Sequence, residues 1–129
     1  MFRLLRTFFS VPESQMTLLC DQDATRQRVI EELNSFHVNP SIQQGDAIFI
    51  YFAGYGSRAR TARRWEAHGG TADIICPVDD GCRTEDGEIH GIPDRTIAGI
   101  LYKTSVVKSG NIVSFTDQCA QRFTCDSLF

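Results

Sequence analysis

Two short stretches carry the side chains best suited to chemistry: Gly54-Tyr55-Gly56-Ser57 and Asp117-Gln118-Cys119. A cysteine thiolate attacks carbonyl carbon well, but a free thiol of pKa about 8.5 is only a few per cent ionised at pH 7. Enzymes that use one normally add a histidine, which takes the thiol proton and returns it to the leaving amine. Two backbone N–H groups must also be aimed at the oxyanion. Gly56 and Cys119 are the residues whose amides could serve. The chain has three histidines. His37 falls at a helix end remote from both stretches; His68 and His90 fall in loops on their side. A loop histidine is poorly oriented for proton transfer, which depends on positioning. Taken alone, Cys119 reads first as a small buried residue at a strand end, the usual setting of a free cysteine.

The elements that would position these groups follow from pattern. Gly45-Asp46 marks a turn. Ala47 to Ala53 then runs without a charge and is rich in β-branched and aromatic residues. Such a run predicts a strand buried on both faces, as in a parallel sheet. Gly54 and Gly56 flank one side chain, which predicts a sharp turn and close approach to a ligand. Ligands of open α/β sheets bind just outside the carboxyl ends of the strands, so Tyr55 is expected at that rim. Asn111 to Thr116 reads as a further strand, with Asp117, Gln118 and Cys119 just past it. Neighbouring parallel strands would bring the two stretches together.

Elsewhere, residues 2–9 read as a helix ended by Ser10, Val11 and Pro12. Met16 to Leu19 reads as a short strand and Asp21 to Asp23 as a turn. Asp23 or Thr25 is suited to cap the next helix, whose apolar face is Val29, Ile30, Leu33 and Phe36. Asn39-Pro40 stops it. Residues 58–71 read as a basic loop with Arg58, Arg60, Arg63, Arg64 and Trp65. Ala72 to Cys76 reads as a strand ended by Pro77. Asp79-Asp80-Gly81 and Thr84 to Glu88 form a polar loop whose spacing does not match a calcium-binding EF-hand. Asp94 is the expected cap of a helix that buries Ile97, Ile100 and Leu101, with Lys103 and Lys108 towards its carboxyl end. Alternation of helices and strands predicts one α/β domain over residues 1–129, with a mostly parallel sheet between helices.

Composition sets the outer bounds. The chain has 129 residues, 42% hydrophobic and 22% charged, with net charge −3 and pI near 5.5. That is an ordinary globular balance. No basic stripe points to nucleic acid. No apolar run is long enough to cross a membrane, and the start lacks the apolar core and cleavage site of a signal peptide. Five cysteines, Cys20, Cys76, Cys82, Cys119 and Cys125, form no CxxC pair. An odd count without pairing favours reduced thiols and a cytoplasmic setting.

The run Gly45 to Ser57 resembles the caspase and metacaspase clan of cysteine peptidases, above all the caspase-domain proteins of mushroom-forming fungi. Further matches are Val11-Pro12-Glu13-Ser14, Ala24-Thr25-Arg26-Gln27, Ile75-Cys76-Pro77-Val78-Asp79, Ile92-Pro93-Asp94-Arg95-Thr96 and Asn111-Ile112-Val113, in family order. The resemblance implies a three-layer α/β/α sandwich and a cysteine endopeptidase linked to regulated cell death. It implies that Cys119 holds the nucleophile position, that Tyr55 stands where the family has its catalytic histidine, and that Gly56 keeps the oxyanion-hole amide. Asp117 matches the aspartate that helps bind a basic P1 side chain in metacaspases. Calcium dependence is implied only by likeness to metacaspases; no metal site stands out.

The departures matter. A phenol of ordinary pKa about 10 is the wrong base near neutral pH. Ala120-Gln121-Arg122 replaces the family's His-Ser-Gly after the nucleophile. The family's first strand and its small-subunit strands have no counterpart, so the sandwich is expected to be incomplete. These differences predict a protein that is inactive or strongly impaired. Its partners would be a peptide or protein substrate if active, or a caspase-like homologue that it regulates as a non-enzymatic partner or decoy.

Overall fold

The computed structural model describes residues 1–60 and 71–119. The expectations for Arg63, Arg64, Trp65, His68, Ala120-Gln121-Arg122 and Cys125 lie outside the described residues. There are three α-helices among the described residues, α1 (Phe2–Phe8), α2 (Arg26–Val38) and α3 (Asp94–Lys108); the first two precede every strand and α3 lies between the fifth strand and the last. The strands are β1 (Ile48–Arg60), β2 (Thr71–Cys76), β3 (Arg83–Thr84), β4 (Gly87–Glu88), β5 (Ile92–Pro93) and β6 (Ile112–Cys119). One sheet has the order β5-β2-β1-β6, and β3-β4 is a separate hairpin.

The fold is mixed α/β, and so is the sheet. β1 and β6 are parallel, joined through the β2-to-α3 segments, whereas β2 runs antiparallel to both β1 and β5. This corrects the mostly parallel expectation. The reason lies in β1, which does not turn at Gly54. It continues through Gly54-Tyr55-Gly56-Ser57 to Arg60, because β2 folds back and pairs with residues 55–60. Arg58 and Arg60 thus belong to a strand, not a loop, and Arg58 Nε donates to Asp73 Oδ1 of its register partner at 2.8 Å.

One face of the sheet is packed. Ile48, Gly56, Ile75 and Ile92 share it by register, and all are buried. α3 lies against β2 and β5, and α2 lies against α3, contributing Leu33, Ile100 and Thr104 to the core. Thr104 is fully buried, and its hydroxyl donates to the Ile100 carbonyl at 3.2 Å, so that hydroxyl is not stranded. The opposite face carries Phe49, Tyr51, Tyr55, Val113 and Phe115, each 39–55% exposed. Residues 49 to 55 therefore alternate between partly covered and exposed, which corrects the expectation of two buried faces. The described residues form two layers rather than three, and a strand run is buried only where a layer covers it.

Local signals set the helix ends. Thr25 caps α2 by accepting from the Arg28 N–H at 3.3 Å. Asp79 Oδ1 adds a long-range cap on the Arg26 N–H at 2.8 Å. α2 ends at Val38, before Pro40. Asp94 is the first residue of α3 rather than its cap; Pro93 holds that position. Its carboxylate still lies at the positive end of the helix. Lys108 closes the other end: its ammonium donates to the carbonyls of Asn39 (2.9 Å) and Ile42 (2.7 Å), and its own carbonyl accepts from the Gly45 N–H. The end of α2, the end of α3 and the entry to β1 are thereby tied together. Met16 to Leu19 forms no strand; it links two short 3-10 turns, Glu13–Gln15 and Asp21–Asp23. A four-residue run that pairs with no described strand has no ladder to stabilise it.

Candidate functional site

The parallel ladder of β1 and β6 runs from Ile48 opposite Ile112 to Tyr55 opposite Cys119. Tyr55 and Cys119 are thus direct neighbours on adjacent strands, about 4.8 Å apart along the hydrogen-bonding direction. Paired residues point to the same face, so the phenol and the thiol share the open face at the carboxyl end of the parallel pair. Both are exposed. Asp117 lies two residues before Cys119, on the same face, opposite Ala53, and is exposed as well.

The local backbone differs from expectation. Cys119 is the last residue of β6, not part of a turn beyond it. Gly56 is buried and paired with Ile75 inside the sheet. A ladder amide is directed along the sheet, not into a cleft. The space a side chain at Gly56 would fill is taken by the Gln118 carboxamide, and the Phe52 ring lies over Gly54. The two glycines thus admit neighbouring side chains rather than a bend.

The described histidines, His37 and His90, do not converge on this row. His37 sits in the last turn of α2 with its Nδ1 buried and unpartnered. That helix end is anchored at the entry to β1, and Tyr55 is seven residues farther along, roughly 23 Å at strand rise. His90 is exposed, with Nδ1 3.7 Å from Glu88 Oε1. Among the described residues, no group of three or more His, Cys, Asp or Glu side chains gathers as a metal site.

Sequence reasoning overlooked one member of the row. Cys76 is the register partner of Tyr55 on the other side, across the antiparallel β1–β2 ladder. Cys76, Tyr55 and Cys119 therefore span three strands on one face. Burial pushes the Cys76 thiol up to about 11, and the hydrogen bond to Asp80 and that carboxylate's charge push the same way. Cys76 is thus held as a neutral thiol at physiological pH, whereas Cys119 is open to solvent. The signal for Cys76 was the period-2 alternation of Tyr55, Ser57 and Ala59, which continues β1 past Gly54. Cys20, Cys76 and Cys119 are free thiols. No described helix is long and apolar enough to cross a membrane.

A scan against protein-family models finds no match, and searches of curated proteins and of solved structures find none.

Proposed function

We propose that this chain is a caspase/metacaspase-like cysteine-peptidase domain, an α/β/α sandwich by descent, whose proteolytic activity is lost or strongly impaired. The observation that carries the reading is the register pair Tyr55–Cys119. The two positions that the resemblance assigns to base and nucleophile lie across one ladder, on one face, at a strand end. Asp117 shares that face and is exposed, which suits a carboxylate meant for a cationic P1 side chain. What is missing is proton handling. A phenol near neutral pH donates a hydrogen bond and does not take the thiol proton, so neither thiolate formation nor protonation of the leaving amine is assisted. Reduced free cysteines agree with a cytoplasmic setting.

The test is peptide cleavage by the purified chain with Arg or Lys at P1. We expect none; turnover that disappears in Cys119→Ala would refute impairment. Labelling tests the substrate site separately. If Asp117 recognises a cation, an Arg-bearing peptide electrophile should modify Cys119 faster than the same electrophile without the peptide. Equal rates would remove that role.

A second reading, a non-enzymatic regulator of a caspase-like relative, is favoured by one feature: among the described residues β6 is paired on one side only.

A further inference from the structure

The outer edge of β6 is built to accept another strand. The Ile48 N–H donates to the Asn111 carbonyl at 2.9 Å, which opens the parallel ladder. Successive residues of a strand direct their backbone groups to opposite sides. Odd-numbered residues of β6 therefore address β1, and Ser114 and Thr116 address the side that no described strand occupies. Exposed edges are usually blunted by charge, proline or a bulge. Ile112-Val113-Ser114-Phe115-Thr116 has no charge and no proline, and its pairing with β1 is unbroken in register. Val113 and Phe115 beside the edge are 46% and 55% exposed.

We propose that this edge joins two copies of the chain, β6 antiparallel to β6 about Ser114, so that two four-stranded sheets become one. The register follows from the backbone. Ser114 meets Ser114 of the second copy as a hydrogen-bonded pair, and the Thr116 N–H meets the Ile112 carbonyl of the second copy, the Ile112 N–H being already given to the Gly110 carbonyl at 2.8 Å. Val113 then meets Phe115 of the second copy in the closer, non-hydrogen-bonded pairing, and this happens twice by symmetry. Asp117, the one charged residue of the strand, faces Asn111 of the second copy instead of itself. Centring on Phe115 would still pair Ser114 with Thr116 but would set Val113 against Asp117, and centring on Thr116 would set Phe115 against Asp117. The strand is therefore self-complementary in a single register, and the two-fold axis runs through the sheet with both helical layers on one side. The proposal rests on the edge alone and stands or falls apart from the peptidase reading.

The experiment is sedimentation of the full chain in reducing buffer across a dilution series from about 2 to 200 µM, a range suited to an interface of one strand pair, below standard size. The mass should rise from 14.5 kDa to twice that value. Ser114→Pro deletes an N–H on the free side and leaves the β1 ladder intact, as proline is tolerated on edge strands. That variant should stay monomeric, with the melting temperature of the unaltered chain at its lowest, monomeric concentration. Hydrogen exchange on the unaltered chain gives a second readout that needs no variant. The Ser114 and Thr116 amides should gain protection at high concentration, while Phe115 stays protected throughout. A constant 14.5 kDa mass, a dimer that Ser114→Pro leaves intact, or no gain at Ser114 and Thr116 would overturn the proposal.

Discussion

Replacing Asp80 by asparagine probes the electrostatics of the Cys76–Tyr55–Cys119 row. Cys76 is raised to about 11 by burial first and by Asp80 second. At pH 8 a thiol of that pKa is ionised to about one part in a thousand, against about a quarter for an ordinary thiol. The thiolate of a weaker acid is the better nucleophile, and a Brønsted slope of about 0.45 returns roughly 13-fold. The net expectation is alkylation of Cys76 about 20-fold slower than an ordinary cysteine. Asp80→Asn removes the carboxylate and leaves burial, so the rate should rise without reaching the ordinary value. The assay is pulsed iodoacetamide labelling between about pH 6 and 11, read peptide by peptide by mass spectrometry. Cys76 labelled at pH 8 as fast as in the denatured chain, or a rate lowered by Asp80→Asn, would refute the reasoning. Linkage gives the matching stability trend. The folded state holds this proton more tightly than the unfolded one, so the contribution is complete below the unfolded pKa of about 8.5 and is lost as pH rises through about 11. The urea midpoint should therefore fall over that window, and less so in Cys76→Ala.

Two further outcomes are expected. Tyr55→His restores a base across the ladder from Cys119, yet it should raise peptide turnover little. The cysteine ends an exposed strand, and the Gly56 amide lies in the sheet, so the oxyanion remains unsupported; a gain of several orders of magnitude would show that the histidine alone was missing. Lys108→Met removes two charge-assisted hydrogen bonds that hold the Asn39 and Ile42 carbonyls and should cost about 1–3 kcal/mol, seen as a lower urea midpoint with activity-independent loss; an unchanged midpoint would mean that water replaces the ammonium at no cost.

Periodicity and capping made much of the fold legible. α2 with its Thr25 cap and Pro40 stop, β2 ending before Pro77, and α3 up to Ser109 follow from local rules that act within a turn or two. So does the meeting of Tyr55 with Cys119, because two strands either side of a helical crossover tend to pair in parallel. What local pattern did not reveal was the length of β1. Gly54 and Gly56 read as a turn because glycine permits one, but a permissive residue also accepts an extended conformation when a neighbouring strand supplies partners. The direction of β2 is a tertiary matter, and it decided both the mixed sheet and the place of Cys76. Burial was misjudged for the same reason: the uncharged run Ala47 to Ala53 states that a strand can be covered twice, not that a second layer exists to cover it.

The open face and the open edge are separate features and make separate demands. Phe49 and Phe115 rings lie 5.8 Å apart, tilted at 43°, and so shield part of each other, but Tyr51, Val113 and Phe115 remain 39–55% exposed. A further layer, as in a three-layer sandwich, would cover this face and leave the backbone groups of Ser114 and Thr116 unpaired. A second copy added at β6 would pair those groups and leave the face open. Protection of the two amides without a change in aromatic exposure therefore selects edge pairing, and loss of aromatic exposure with unprotected amides selects a covering layer. Because the same row of side chains borders both surfaces, either outcome also bears on Cys119: a strand beside β6 would wall its outer side, whereas a layer over the face would bury it.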